Sequence, residues 1–107
     1  MDVPFGKKIR FPFVVNDKAG KPTNKVDGTP AINTTFGTVV ETVKGAGVGE
    51  WSAKIDPGAP GSGSVSGTLD ADLGDGVEEI GFTLGDFTAL DSDKAASVAV
   101  GAPTIED

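Results

Sequence analysis

The chain contains no cysteine and no histidine. These absences exclude a disulfide framework, the usual zinc and haem ligand sets, thiol nucleophiles and histidine general bases. They leave the redox compartment open. No apolar run approaches the roughly 20 residues of a membrane span. In the opening MDVPFGKKIRFPFVV, charges and prolines interrupt every apolar stretch, so the pattern of a secretory signal is missing. The expectation is a soluble chain without a visible export signal. Helical periodicity is missing too. No window of eleven or more residues repeats its apolar positions at i, i+3, i+4, i+7, and sixteen glycines and seven prolines punctuate any helical window.

What is present is β patterning. A length of 107 residues suits one domain with one modest core. Ile9, Phe11, Phe13 and Val15 alternate with Lys8, Arg10 and Pro12, and Trp51, Ala53 and Ile55 alternate with Glu50, Ser52 and Lys54. A period of two sends one set of side chains to a core and the other to water. Pro12 cannot donate a ladder hydrogen bond, so its strand is expected at a sheet edge, or as a strand that breaks there and changes sheet. Between Gly63 and Asp86 two alternating arms flank Gly74-Asp75-Gly76, the composition of a hairpin. In the first arm Val65, Leu69, Ala71 and Leu73 share one parity; in the second Ile80, Phe82 and Leu84 do. Asn16 to Pro22 is a turn by composition, and Asp56 to Ser62 is the strongest break. Asn24 to Asp27 is expected as a short strand before a break at Gly28-Thr29-Pro30. Apolar parity changes between Phe36 and Val39, so a turn or bulge is expected near Gly37. Phe87 to Asp93 is expected as a connection, and Ala95 to Val100 as the last strand. About seven short strands at this spacing predict an all-β sandwich, antiparallel, with an arm over 1–6, the sandwich over 7–101 and a tail over 102–107.

Charge is uneven along the chain. Lys7, Lys8, Arg10, Lys18, Lys21 and Lys25 lie in the first 25 positions, whereas from Asp70 onward only Lys94 stands among the acids, and the net charge is −7. An acidic chain gains nothing from counterion release, so nucleic acid is not an expected partner. The balance serves solubility, and it also leaves two ends able to meet complementary surfaces.

The order of features is similar to that of bacterial and phage immunoglobulin-like domains. The residues that carry the resemblance are the turn VNDKAGKPTNKVDGTPA, the strand GEWSAKID, the hairpin GSVSGTLDADLGDGVEEIGFTL and the closing KAASVAVGAP. Within that group, VSGTLDADLGDGVEEI resembles segments of small single-domain proteins from phage structural regions. The resemblance implies an immunoglobulin-like sandwich with a structural role, as a capsid decoration, cement or head-fibre protein bound to a major capsid protein or another virion protein, with homo-oligomers possible. It implies no catalytic residues and no cofactor. The alternative it leaves open is an immunoglobulin-like binding module of a bacterial adhesin or carbohydrate-binding protein at the cell surface.

Four groups of residues invite chemistry. Asp70, Asp72 and Asp75 resemble a calcium loop, but an EF-hand needs oxygen ligands where Gly74 and Gly81 stand, so a solvated turn is the simpler reading. Glu78 and Glu79 are adjacent on a strand and point to opposite faces, which does not suit paired catalytic carboxylates. Asn33-Thr34-Thr35 matches a glycosylation sequon by pattern alone. Phe5, Lys7, Lys8 and Arg10 are the candidate partner-docking residues: Phe5 lies outside the strand alternation and is free to anchor in a groove, and the three cations protect a strand from unwanted pairing.

Overall fold

Period-two patterning becomes two facing sheets in the structure, a computed structural model that describes residues 1–72, 76, 78–91 and 98–106. The strands are β1 (Asp2–Val3), β2 (Ile9–Val14), β3 (Asp27–Thr34), β4 (Thr38–Lys44), β5 (Glu50–Asp56), β6 (Gly61–Asp70) and β7 (Glu79–Ala89). One sheet has the order β1-β7-β6-β3 and the other β2-β5-β4. The described residues contain no helix. The protein is therefore an all-β sandwich, as its alternation predicts. β7-β6-β3 and β2-β5-β4 follow the G-F-C and B-E-D orders of immunoglobulin-type sandwiches. Here the first strand lies beside the last and runs parallel to it, Asp2 opposite Thr88 and Val3 opposite Ala89. The other pairings are antiparallel.

The core is small and central. Val3, Ile9, Ile55, Val65 and Phe87 form its buried cluster, with Phe11, Ile32, Phe36, Val39 and Leu84 packed against it. On β6 the buried positions read Gly63, Val65, Gly67, Leu69. The two glycines are there because rings occupy the space of their missing side chains. A Cβ on Gly63 would lie 2.8 Å from Phe36 Cβ and 2.9 Å from Phe87 Cζ; one on Gly67 would lie 2.5 Å from Phe82 Cζ and 2.8 Å from Ile32 Cδ1. Trp51 is half-buried on the inward face of β5, and its Nε1 is a buried donor without a partner among the described residues.

Polar contacts fix the turns. Asp17 Oδ1 accepts the backbone N–H groups of Ala19 and Lys21, at 2.9 and 3.0 Å, a local bond that Asp forms readily in turns. The long β2–β3 connection is held down by Gly49, whose N–H donates to Asn24 Oδ1 at 2.7 Å and whose carbonyl accepts the Val15 N–H at 2.8 Å. Gly49 has φ +73 and its Cα faces the Val15 carbonyl, so both conformation and contact require glycine. Asp70 Oδ1 accepts the N–H groups of Asp72 and Glu78, both at 2.9 Å, and so ties together the two arms of the β6–β7 hairpin.

Several expectations hold. Ile9, Phe11, Phe13 and Val15 face inward, as do Trp51, Ala53 and Ile55. β2 is an edge strand, so the missing N–H of Pro12 disturbs no inner ladder. Gly37, at φ +80, makes the turn across which the apolar parity flips, because β3 and β4 belong to different sheets.

Others are corrected. The lead over 1–6 includes β1, whose Val3 is buried in the core, so it is not only an arm. The short strand expected at Asn24–Asp27 begins instead at Asp27 and runs through Gly28-Thr29-Pro30. Pro30 is tolerated because β3 is an edge strand and its register shifts between Asp27 and Ala31. β7 runs on to Ala89, so Phe87 is a core residue of a strand and not part of a connection. Of the last strand expected at Ala95–Val100, residues 95–97 lie outside the described residues. Val98 and Val100 are in no strand and are 86% and 90% exposed. Leu73, Gly74 and Asp75 of the expected hairpin turn also lie outside the described residues.

The glycine positions of β6 yield a paired test. Gly67→Val is expected to lower stability by about 1–3 kcal/mol or more through overpacking. Gly81→Ala, on β7 where nothing lies within 4 Å of an added Cβ, should stay within about 0.5 kcal/mol of the parent. Urea unfolding of the two variants decides it; equal effects would mean that the rings do not rest on β6.

Candidate functional site

The candidate docking residues separate into two places. The turn Pro4-Phe5-Gly6-Lys7 is closed by a 3.1 Å hydrogen bond from the Lys7 N–H to the Pro4 carbonyl. It lifts Phe5, 56% exposed, to one end of the sandwich. There Phe5, Lys7 and Lys8 line a depression of about 320 Å³ together with Asp56, Pro57 and Pro60. Both walls are turns: Gly6 turns one side at φ +75, and on the other the Gly58 N–H donates to Asp56 Oδ1 at 3.0 Å. Phe5 and the prolines give an apolar wall, and two lysines against one aspartate give it a cationic rim. Such a place suits an acidic surface with an apolar projection, where opposite charge guides the encounter and an aromatic anchor holds it.

Arg10 is not part of that depression. It stands on the outer face of β2, where its guanidinium donates to Glu41 Oε1 at 2.5 Å and to Ser52 Oγ at 2.7 Å. The pair staples β2, β5 and β4 across the solvent face. Glu41 is held below its ordinary carboxyl value, chiefly by that hydrogen bond from Arg10; desolvation opposes the shift, and the charges of Arg10 and Lys54 add to it.

A second concavity was not legible in the sequence. Phe13 of β2 and Val15 just beyond it face Leu69, Ile80, Phe82 and Leu84 of the other sheet across a groove of about 500 Å³. The Phe13 and Phe82 rings meet across its floor, 5.2 Å apart at 36°. The groove exists because β1 pairs only with Thr88 and Ala89. From Glu79 to Phe87 the outer edge of β7 has no strand partner among the described residues, and β2 pairs only with β5. Each strand alone looks like ordinary half-buried β-structure. Only the topology leaves a seam between them.

The other candidates form no shared site. Asp70 and Asp72 lie at the mouth of the hairpin, with the Asp70 carboxylate engaged on backbone donors, and Asp75 is outside the described residues. Among the described residues, no group of three acidic side chains is placed to hold a metal ion. No helix among them is long and apolar enough to cross a membrane. No family model, no curated protein and no solved structure matches the chain.

The Glu41 shift has a definite pH signature. Its folded-state value lies below the unfolded one, so its contribution is complete above the unfolded value and is lost as pH falls through the folded value. Glu41→Gln should therefore be less stable than the parent near neutral pH and converge with it on acidification below the ordinary glutamate range. Urea midpoints across an acid series test this; a deficit that stays constant with pH would contradict it.

Proposed function

We propose that the protein is a non-catalytic, immunoglobulin-like structural module that docks on a larger protein assembly, and that the assembly is a phage virion on which it serves as a decoration, cement or head-fibre component. The observation that carries the docking role is the end depression in which Phe5, Lys7 and Lys8 converge beside Pro57 and Pro60. Three sequence positions singled out for charge and exposure are gathered there by a turn that has no part in the core. The strand order supports the immunoglobulin-like reading. The virion context rests on the resemblance of VSGTLDADLGDGVEEI to segments of small single-domain proteins from phage structural regions, and it makes the partner a major capsid protein or another virion protein. In that setting each weak contact is repeated over a shell and multiplied by multivalency. Arg10, engaged with Glu41, takes a structural role in this reading.

Purified particles from the source test the proposal. Mass spectrometry should find the chain in a fixed ratio to the major capsid protein, resistant to washing. The chain carrying Lys7→Glu and Lys8→Glu should rebind stripped particles at least about tenfold more weakly, with its folding unchanged, since reversing two rim charges turns attraction into repulsion. Recovery in a cell-envelope fraction and absence from particles would replace the virion reading with the adhesin-module alternative.

A further inference from the structure

The seam between β2 and β7 has the form of a place for one more strand. Its floor is apolar, its β7 wall offers backbone from Glu79 to Phe87 that has no strand partner among the described residues, and Ile80 stands 47% exposed at its lip. The same molecule carries a segment of matching character with nothing to pack on. Val98-Ala99-Val100-Gly101-Ala102-Pro103-Thr104-Ile105 is uncharged, forms no strand, and exposes Val98, Val100 and Ile105 at 86%, 90% and 99%. It also stands off its own sandwich. The molecule measures 82 × 28 × 21 Å with a radius of gyration of 20.2 Å, whereas a compact chain of this length has about 13 Å. β7, the longest strand with eleven residues, spans only about 36 Å.

We infer that the C-terminal segment 98–105 of one copy docks as a strand in the β2–β7 seam of a second copy, pairing with the free edge of β7 and burying Val98 and Val100 on the groove floor. Donated strands of this kind draw affinity from main-chain bonds and register from alternate side chains. The antiparallel direction is the stabler pairing, and it carries the acidic end, Glu106 and Asp107, toward the β2–β3 connection. There Lys18 and Lys25 line the groove mouth beside Asp17 and Glu78. The local charge is balanced before docking, and the incoming carboxylates meet the two lysines. Pro103 has no N–H to give, so its position must face away from β7, and Val98, Val100 and Ala102, at even spacing from one another, then share the opposite parity. Exchanged reciprocally, the segment closes a dimer; passed on without return, it builds a chain of copies. The inference rests on the sandwich alone and not on the virion assignment.

The test compares the full chain with a Val98→Lys, Val100→Lys variant, whose changes fall on exposed positions and leave the sandwich folded. Analytical ultracentrifugation over a concentration series should show self-association of the parent, weakened about a hundredfold or more in the variant by loss of two buried valines. Hydrogen exchange should show the amides of Glu79–Asp86 slowed in the associated parent and fast in the variant. A synthetic peptide of residues 98–107, added to the variant, should slow the same amides. A parent that stays monomeric at all concentrations yet protects these amides would place the segment in its own seam and overturn the second-copy assignment. Self-association that survives the double substitution, or β7 amides unaffected by the peptide, would overturn the docking site itself.

Discussion

The sandwich depends on the contact between aromatic rings and the bare backbone of β6. This chain has six phenylalanines and one tryptophan with which to close two sheets, and its fully buried large side chains are Phe87, Ile55 and Val65. With so few, ordinary interdigitation of side chain on side chain would leave voids. Gly63 and Gly67 allow Phe36, Phe87, Phe82 and Ile32 to lie against the strand itself. The rings thus reach the close packing that a protein interior needs without more bulk from the sequence. The glycines weaken β6 as an isolated strand, and long pairing with β7 along its whole length compensates.

Much of this was legible from alternation. β2 and β5 show their inward faces plainly because each is half-buried along its whole length, and Pro12 identified β2 as an edge. The turn at Gly37 announced itself by a change of parity. Where reading failed, a tertiary contact outweighed a local signal. β1 is two residues long, and it is held by pairing with the end of β7 and by Val3 in the core. Gly28-Thr29-Pro30 has breaker composition yet lies in β3, because an edge strand absorbs a missing donor and a register shift. Val98 and Val100 carry strand composition but find no place in the described sandwich.

The candidate site was legible in part for the same reason. Phe5 stood out as an aromatic residue outside the alternation, and Lys7 and Lys8 as charges next to it. That Pro57 and Pro60 would complete their wall required the β5–β6 crossing to fold back over the same end. Arg10 shares the composition of its neighbours but lies further along the strand, where Glu41 and Ser52 engage it. The seam groove had no signal in any single segment, because it results from the shortness of one strand beside two longer ones. Surfaces made by topology are invisible to a reading made segment by segment.

Trp51 is the chain's sole tryptophan, and there is no tyrosine. Its indole lies on the inward face of the three-stranded sheet, with the ring nitrogen buried and without a partner among the described residues. The molecule's intrinsic fluorescence therefore comes from one location, and an indole without a hydrogen-bond acceptor responds strongly when water arrives. Opening of the three-stranded sheet is optically bright. Fraying of β1, which pairs at the other end of the sandwich with Thr88 and Ala89, leaves the indole in place and is optically dark. An unfolding curve followed by emission alone would thus report the end of the sandwich where Trp51 lies opposite Phe13 and miss the loss of β1 at the other end.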